Sequence, residues 1–115
     1  MYTEVRAVTK YVRMSAHKVR LIADLVRGKS VNDALAVLRF SPRAAAREVA
    51  KTISSAAANA DANHGLARDE LYVSEIKADE GPMLKRGRAG ARGRHMPILK
   101  RSAHITVVLS ERASR

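Results

Sequence analysis

Leu71-Tyr72-Val73-Ser74-Glu75-Ile76-Lys77-Ala78 and Ala103-His104-Ile105-Thr106-Val107-Val108-Leu109 are two runs of strong β character, and the segment between them decides the fold. From Gly81 to Ser110 the chain carries no acidic residue, yet it places Lys85, Arg86, Arg88, Arg92, Arg94, Lys100 and Arg101 around Gly87, Gly90 and Gly93. The whole reads as one long antiparallel β-hairpin with a glycine-softened cationic end. A turn centred between Ala89 and Gly90 sets Pro82 nearly opposite Pro97, each removing one ladder donor from a ribbon whose two strands are both edges. Arms of about ten residues, at ~3.4 Å each, carry the tip roughly 35 Å from the body. A two-stranded ribbon is marginally stable alone in water, so it needs a partner along its length. Its charge makes that partner a polyanion.

Working outward, the chain has 115 residues, enough for a single domain over 1–115 with a projecting arm at 79–101. The formal charge of +11 is unevenly spread. Residues 1–51 hold 11 basic and 4 acidic side chains, 52–80 hold 2 and 6, and 81–115 hold 9 and 1. Both ends of the sequence thus face an anionic partner, with nucleic acid ahead of a membrane surface. Cysteine is absent, which excludes disulfides and thiolate metal sites. No run is long and apolar enough to span a bilayer and the start has no secretory h-region, so a cytoplasmic location is expected. One phenylalanine and three tyrosines are few for a sheet that stacks unpaired bases. Recognition of phosphate and shape fits better.

Residues 2–13 alternate loosely, with Val5, Ala7 and Thr9 set against Arg6, Val8 and Lys10, and are expected to form a strand. Ser15 stands at an N-cap, Val19, Ile22, Ala23 and Val26 recur at helical spacing, and Gly28 supplies the stop, giving a helix over 16–27. Asp24 is placed to hold both Arg20 and Arg27 along one stripe. Ser30-Val31-Asn32-Asp33 opens a short second helix with Ala34, Val37 and Leu38 on its buried side, ending near Phe40. Ser41-Pro42 reads as the cap and first position of the longest helix, buried through Ala45, Val49, Ile53, Ala56, Ala57 and Ala60 and closed by Asn63-His64-Gly65. The predicted fold is α+β: three helices packed on a small antiparallel three-stranded sheet, with one long protruding hairpin.

The residues offer no catalytic constellation. Gly87, Gly90 and Gly93 are spaced by three and do not join a strand to a helix, which fits neither a dinucleotide fingerprint nor a Walker loop. His17, His64, His95 and His104 lack metal-ligand spacing, and Ser15 has no neighbouring base. No cofactor, metal or enzymatic activity is expected. A cationic membrane-active hairpin would want an aromatic belt or a continuous apolar face and has neither.

Tyr11-Val12-Arg13-Met14-Ser15, Lys18-Val19-Arg20-Leu21, Ile22-Ala23-Asp24-Leu25-Val26-Arg27-Gly28-Lys29-Ser30, Ala57-Ala58-Asn59-Ala60, Asp79-Glu80-Gly81-Pro82, Leu84-Lys85-Arg86, Ala91-Arg92-Gly93-Arg94 and His104-Ile105-Thr106-Val107-Val108 closely resemble the bacterial large-subunit ribosomal protein twenty-two family. The likeness covers nearly the whole chain. It implies a structural constituent of the large ribosomal subunit whose body sits on the subunit surface, and whose hairpin threads ribosomal RNA to line the nascent-peptide exit tunnel. It also implies binding of large-subunit ribosomal RNA early in assembly, contacts with neighbouring ribosomal proteins, and a single copy in each ribosome. Carried over, Lys85, Arg86, Arg88, Arg92, Arg94, Lys100 and Arg101 would contact RNA along the arm, with Arg13, Lys18, Arg20, Arg27 and Lys29 contributing from the body. Arg88, Ala89, Gly90, Ala91 and Arg92 would form the tunnel tip and meet the nascent polypeptide. The chain departs from the family pattern at Ala89, where proline is common, at Gly90, where a basic residue is usual, and at Ala16-His17, where Pro-Arg is common. Arg88 is placed to compensate at the tip, and a contact through His17 would depend on its protonation. The alternative reading, a DNA-bending protein with β-arms, needs an apolar wedge at the tip. Met83, Leu84, Met96, Ile98 and Leu99 lie on the arms instead.

Overall fold

Leu71, Val73, Ile76 and Ala78 are all buried, so the strand that carries them does not keep a strict two-residue alternation. The computed structural model describes residues 4–89 and 95–111, with 84–89 and 95–99 followed by their backbone. In it, β2 (Leu71–Glu80) pairs antiparallel with β5 (Ala103–Glu111), and the register slips by one residue between Val73 and Glu75. The extra residue, Ser74, absorbs the phase change and lets Val73 and Ile76 face the same core. Its hydroxyl donates to Val108 O at 3.0 Å and takes part in a 2.7 Å bond with the Ser110 hydroxyl.

On the other side of β5 lies β1 (Glu4–Val12), giving the order β1-β5-β2. This strand has its own bulge between Thr9 and Val12, where Tyr11 adopts a left-handed φ of 60°. Val5 and Ala7 face inward while Arg6 and Val8 face water, as the alternation predicts, and the bulge brings Val12 to the inner face as well. Thr9 Oγ1 meets Thr52 Oγ1 of the longest helix at 2.7 Å.

Three helices cover the sheet. The first, α1 (Ala16–Val26), starts at Ser15, whose hydroxyl accepts the Lys18 N–H at 3.4 Å, and is followed by Gly28 at φ 83°. Its buried stripe of Val19, Ile22, Ala23 and Val26 packs largely against β2; each of the larger side chains contributes about 1.5–3 kcal/mol by leaving water. The second, α2 (Val31–Arg39), is capped by Ser30 and ends at Phe40. Ala34 and Leu38 are buried there, but Val37 is exposed rather than inward. The third, α3 (Ala44–His64), ends at Gly65 in the left-handed region. It starts two residues later than the Ser41-Pro42 signal suggests: Ser41 turns its hydroxyl to the Arg43 N–H at 3.4 Å, and Arg43 occupies the N-cap without a side-chain cap. Ala45, Ala46, Ala56, Ala57 and Ala60 are buried on α3 and let its backbone lie close to β1, β5 and the other helices. A single 3-10 turn, Arg68–Glu70, leads into β2.

The outer edge of β2 is closed by an arrangement the helical stripe alone does not reveal. Gly28 N–H donates to Val73 O at 2.9 Å and Val73 N–H to Lys29 O at 2.8 Å, so the link between α1 and α2 lies along the strand edge. Further along, Arg27 Nη2 donates to Ile76 O at 2.8 Å and Arg20 Nε to Ala78 O at 3.0 Å. Asp24 therefore holds only Arg27, at 2.6 Å. Arg20 leaves it for the strand, because a part-buried carbonyl at an open edge needs a donor more than an exposed carboxylate does.

The hairpin is two ladders, not one. The body ladder ends at Glu80↔Ala103, and a separate pair, β3 (Leu84–Ala89) with β4 (His95–Lys100), begins at Leu84↔Lys100. Three residues on one side of the break, 81–83, oppose two on the other, 101 and 102. Beyond it Pro97 faces Gly87, not Pro82, and Ala89 faces His95. β3 thus runs through Ala89 and β4 opens at His95, so the ribbon does not turn between Ala89 and Gly90 as the sequence suggests; residues 90–94 lie outside the described residues. The molecule measures 68 Å along its longest axis and 26 Å and 18 Å across.

Candidate nucleic-acid interface

The β1 bulge and the break in the hairpin meet at one place. Tyr11, 64% exposed, turns its N–H to His104 Nδ1 at 3.1 Å, and the two rings stand edge to face with centroids 5.0 Å apart. Beneath them Gly81 N–H donates to Ser102 O at 3.0 Å, and the Ser102 hydroxyl donates to Pro82 O at 2.7 Å. A Cβ on Gly81 would fall 2.5 Å from Ser102 Oγ. Only glycine fits there without displacing that hydroxyl.

Past the bulge the chain turns sharply, Met14 N–H bonding Val12 O at 2.9 Å, and enters α1 with no acidic residue in its first turn. That turn faces the root of the arm across an open groove of about 910 Å³. Arg13, His17 and Lys18 line one side; Pro82, Lys100, Arg101 and Ser102 line the other, and no carboxylate lines it among the described residues. Cations on facing walls with no counter-charge raise the local potential and concentrate an anionic ligand. Arg20 sits in an adjoining smaller cleft with Arg101, Glu80 and Met83.

The residues named from sequence divide accordingly. Arg13, Lys18, Lys100 and Arg101 converge on the groove, with Arg20 beside it. Arg27 and Lys29 lie past the far end of α1, about 16 Å away at 1.5 Å per residue. Arg27 and Arg20 also spend part of their donor capacity on β2. Lys85, Arg86 and Arg88 occupy β3 positions opposite Leu99, Ile98 and Met96. Ala89 ends β3, whereas Gly90, Ala91, Arg92 and Arg94 lie outside the described residues.

Sequence reasoning missed Tyr11 as a wall of this groove, since its position depends on a bulge the alternation does not announce. It also passed over Arg39, Arg43, Arg47 and Arg68, which line a second groove between α2 and α3. The four-residue spacing of the first three across Pro42 was the available signal.

A three-helix, three-stranded body with a carboxylate-free cationic groove at the root of a separate two-stranded ladder defines a basic α+β protein with a projecting arm. The chain belongs to the ribosomal protein L22p/L17e family, whose profile matches residues 7–110. It is 51% identical over 109 residues to the large ribosomal subunit protein uL22 of Syntrophobacter fumaroxidans, covering 95% of this chain and 99% of that one. Proteins of the same name from Clostridium kluyveri and Chloroflexus aggregans are each 54% identical, over 95% and 96% of this chain and 98% and 97% of theirs.

Proposed function

We propose that the protein is a non-enzymatic structural constituent of the large subunit of the cytoplasmic ribosome, where it binds large-subunit ribosomal RNA and supports translation. Its body, within a single domain over 1–115, anchors on RNA through the groove at the arm root. Arg13, Lys18, Lys100 and Arg101 neutralise phosphates there, with Arg20 at the side and Arg27 and Lys29 reaching a further strand from the far end of α1. Guanidinium forks suit such phosphates. The arm, 79–101, extends from that anchor with Lys85, Arg86, Arg88, Arg92 and Arg94 along it, lines the peptide exit tunnel, and presents residues 88–92 to the nascent polypeptide. Neighbouring ribosomal proteins complete its surroundings, and it enters the subunit as a monomer.

The observation that carries this reading is the convergence of four cations from the β1–α1 turn, α1 and the arm root on one groove that no acid lines among the described residues. It joins the body to the ribbon, so one RNA segment in the groove fixes the direction of both. The test is the salt dependence of binding to a large-subunit ribosomal RNA transcript. Removal of residues 85–94 takes away five cations and should lower the slope of log K against log salt by about 4, at ~0.7–0.9 per phosphate contact. An unchanged slope would refute an RNA role for the arm.

A further inference from the structure

Phe40, the only phenylalanine of the chain, is 83% exposed at the corner between α2 and α3. Burying such a ring is worth about 1.5–3 kcal/mol, and nothing in the described fold takes up that gain. The ring is not on a loose loop. Phe40 is the C-cap of α2 in helical geometry, φ −92° and ψ 0°; Ser41 N–H bonds Leu38 O at 3.2 Å; and Pro42 and the Arg43 N-cap follow directly.

Next to it along the chain lie cations that no acid pairs, on the wall of a groove whose lining includes Arg39 and Ser41 but not Phe40 itself. Arg39, Arg43 and Arg47 follow one another at four-residue spacing through the corner, and Arg68 joins them from the 3-10 turn, lining a groove of about 750 Å³. Among the described residues, Glu48 is the one carboxylate on that lining. Among the described residues the sole ion pair is Arg27 with Asp24, so none of these four arginines is neutralised by an acid. Arg39 and Ser41, the neighbours of Phe40, both belong to the groove wall. Met14 is common to the walls of this groove and the arm-root groove.

We infer that the α2–α3 corner is a second RNA-binding surface, taking a phosphate backbone on Arg39, Arg43 and Arg47 and an unpaired base on the ring of Phe40. The inference rests on the ribosomal RNA reading above and adds to it a site and a base-stacking group. Guanidiniums alone would suit any polyanion. A rigid exposed aromatic ring beside them selects a strand whose bases are free to stack, as in loops and bulges of folded RNA, over a duplex whose bases are already paired.

The full chain is tested by filter binding to a bacterial large-subunit ribosomal RNA transcript over a range of salt. Arg39→Gln, Arg43→Gln and Arg47→Gln together should reduce the slope of log K against log salt by about 2, as three phosphate contacts to single-stranded RNA require. Phe40→Ala should keep the slope but weaken binding by about fivefold or more, and Phe40→Trp should restore it. A triple variant with parental slope and affinity, beside an Arg13→Gln/Lys18→Gln variant that loses both, would overturn the second site and leave the first standing. Loss in neither variant would overturn the RNA reading as a whole. Benzoylphenylalanine in place of Phe40 should photocrosslink to RNA in assembled large subunits; crosslinks to protein alone would make the corner a protein contact and refute the proposal.

Discussion

The Tyr11 backbone N–H donates to His104 Nδ1 at 3.1 Å, across the seam where the bulge of β1 meets the outer end of β5. Tyr11 holds a left-handed φ of 60°, a conformation that costs a non-glycine residue roughly 1–2 kcal/mol. The edge-to-face ring contact with His104 and the hydrogen bond offset that cost. Together they set the wall of the arm-root groove.

His104→Ala removes both contacts and should lower the unfolding free energy by about 1–2 kcal/mol. Urea titration of the full chain reads it directly. His104→Phe keeps the ring and loses the acceptor, so an intermediate loss is expected. Equal stability in all three proteins would show that the seam does not hold the bulge.

Gly81→Ala forces its methyl against Ser102 Oγ, 2.5 Å from where the Cβ must sit. Ser102 can rotate away only by giving up its bond to Pro82 O. The substitution should cost about 1 kcal/mol, and most of that cost should disappear when Ser102 is already alanine. Additive losses in the double variant would place the strain elsewhere.

Replacing Arg20 and Arg27 by methionine keeps much of the aliphatic bulk and removes the donors to Ala78 O and Ile76 O. The edge of β2 is then open over its second half. We expect concentration-dependent self-association in light scattering, together with a stability loss of about 1–2 kcal/mol. A monomer at all concentrations would mean that the backbone pairing of Val73 with the α1–α2 link suffices to close the edge.

Because the body ladder ends at Glu80↔Ala103 and a new ladder begins beyond the break, the two should differ in hydrogen exchange. In the free protein, amides of β2 and β5 should be protected to near the global unfolding energy, and those of β3 and β4 should exchange far faster. Ribosomal RNA should slow the second set. Equal protection of both ladders in the free protein would show that the arm is stable without a partner.

The helices and the central strand were legible because each is announced locally. Ser15 and Ser30 cap where capping residues should, Gly28 and Gly65 follow the helices with positive φ, and the recurring positions Val19, Ile22, Ala23 and Val26 of α1 and Ala45, Val49, Ile53, Ala56, Ala57 and Ala60 of α3 are buried. What sequence did not reveal depends on register. A one-residue bulge at Ser74 or near Tyr11 leaves the composition of a strand unchanged, and the break at 81–83 moves the turn by changing the residue count on one side. The start of α3 was misplaced because Pro42 suits the turn before a helix as well as its first position. The cations at the arm root were legible as basic residues. That Arg13 and Lys18 face Lys100 and Arg101 across one groove required the fold, since over 80 residues separate them in the chain.

The central claim, that body and arm together hold large-subunit ribosomal RNA, is tested most directly by sedimentation of a cell extract through a sucrose cushion after a high-salt wash. The protein should remain with the large subunits, whereas the variant carrying glutamine at Arg13, Lys18, Lys100 and Arg101 should be released at lower salt. Recovery of the unaltered protein in the supernatant, or with DNA instead of large subunits, would contradict the account.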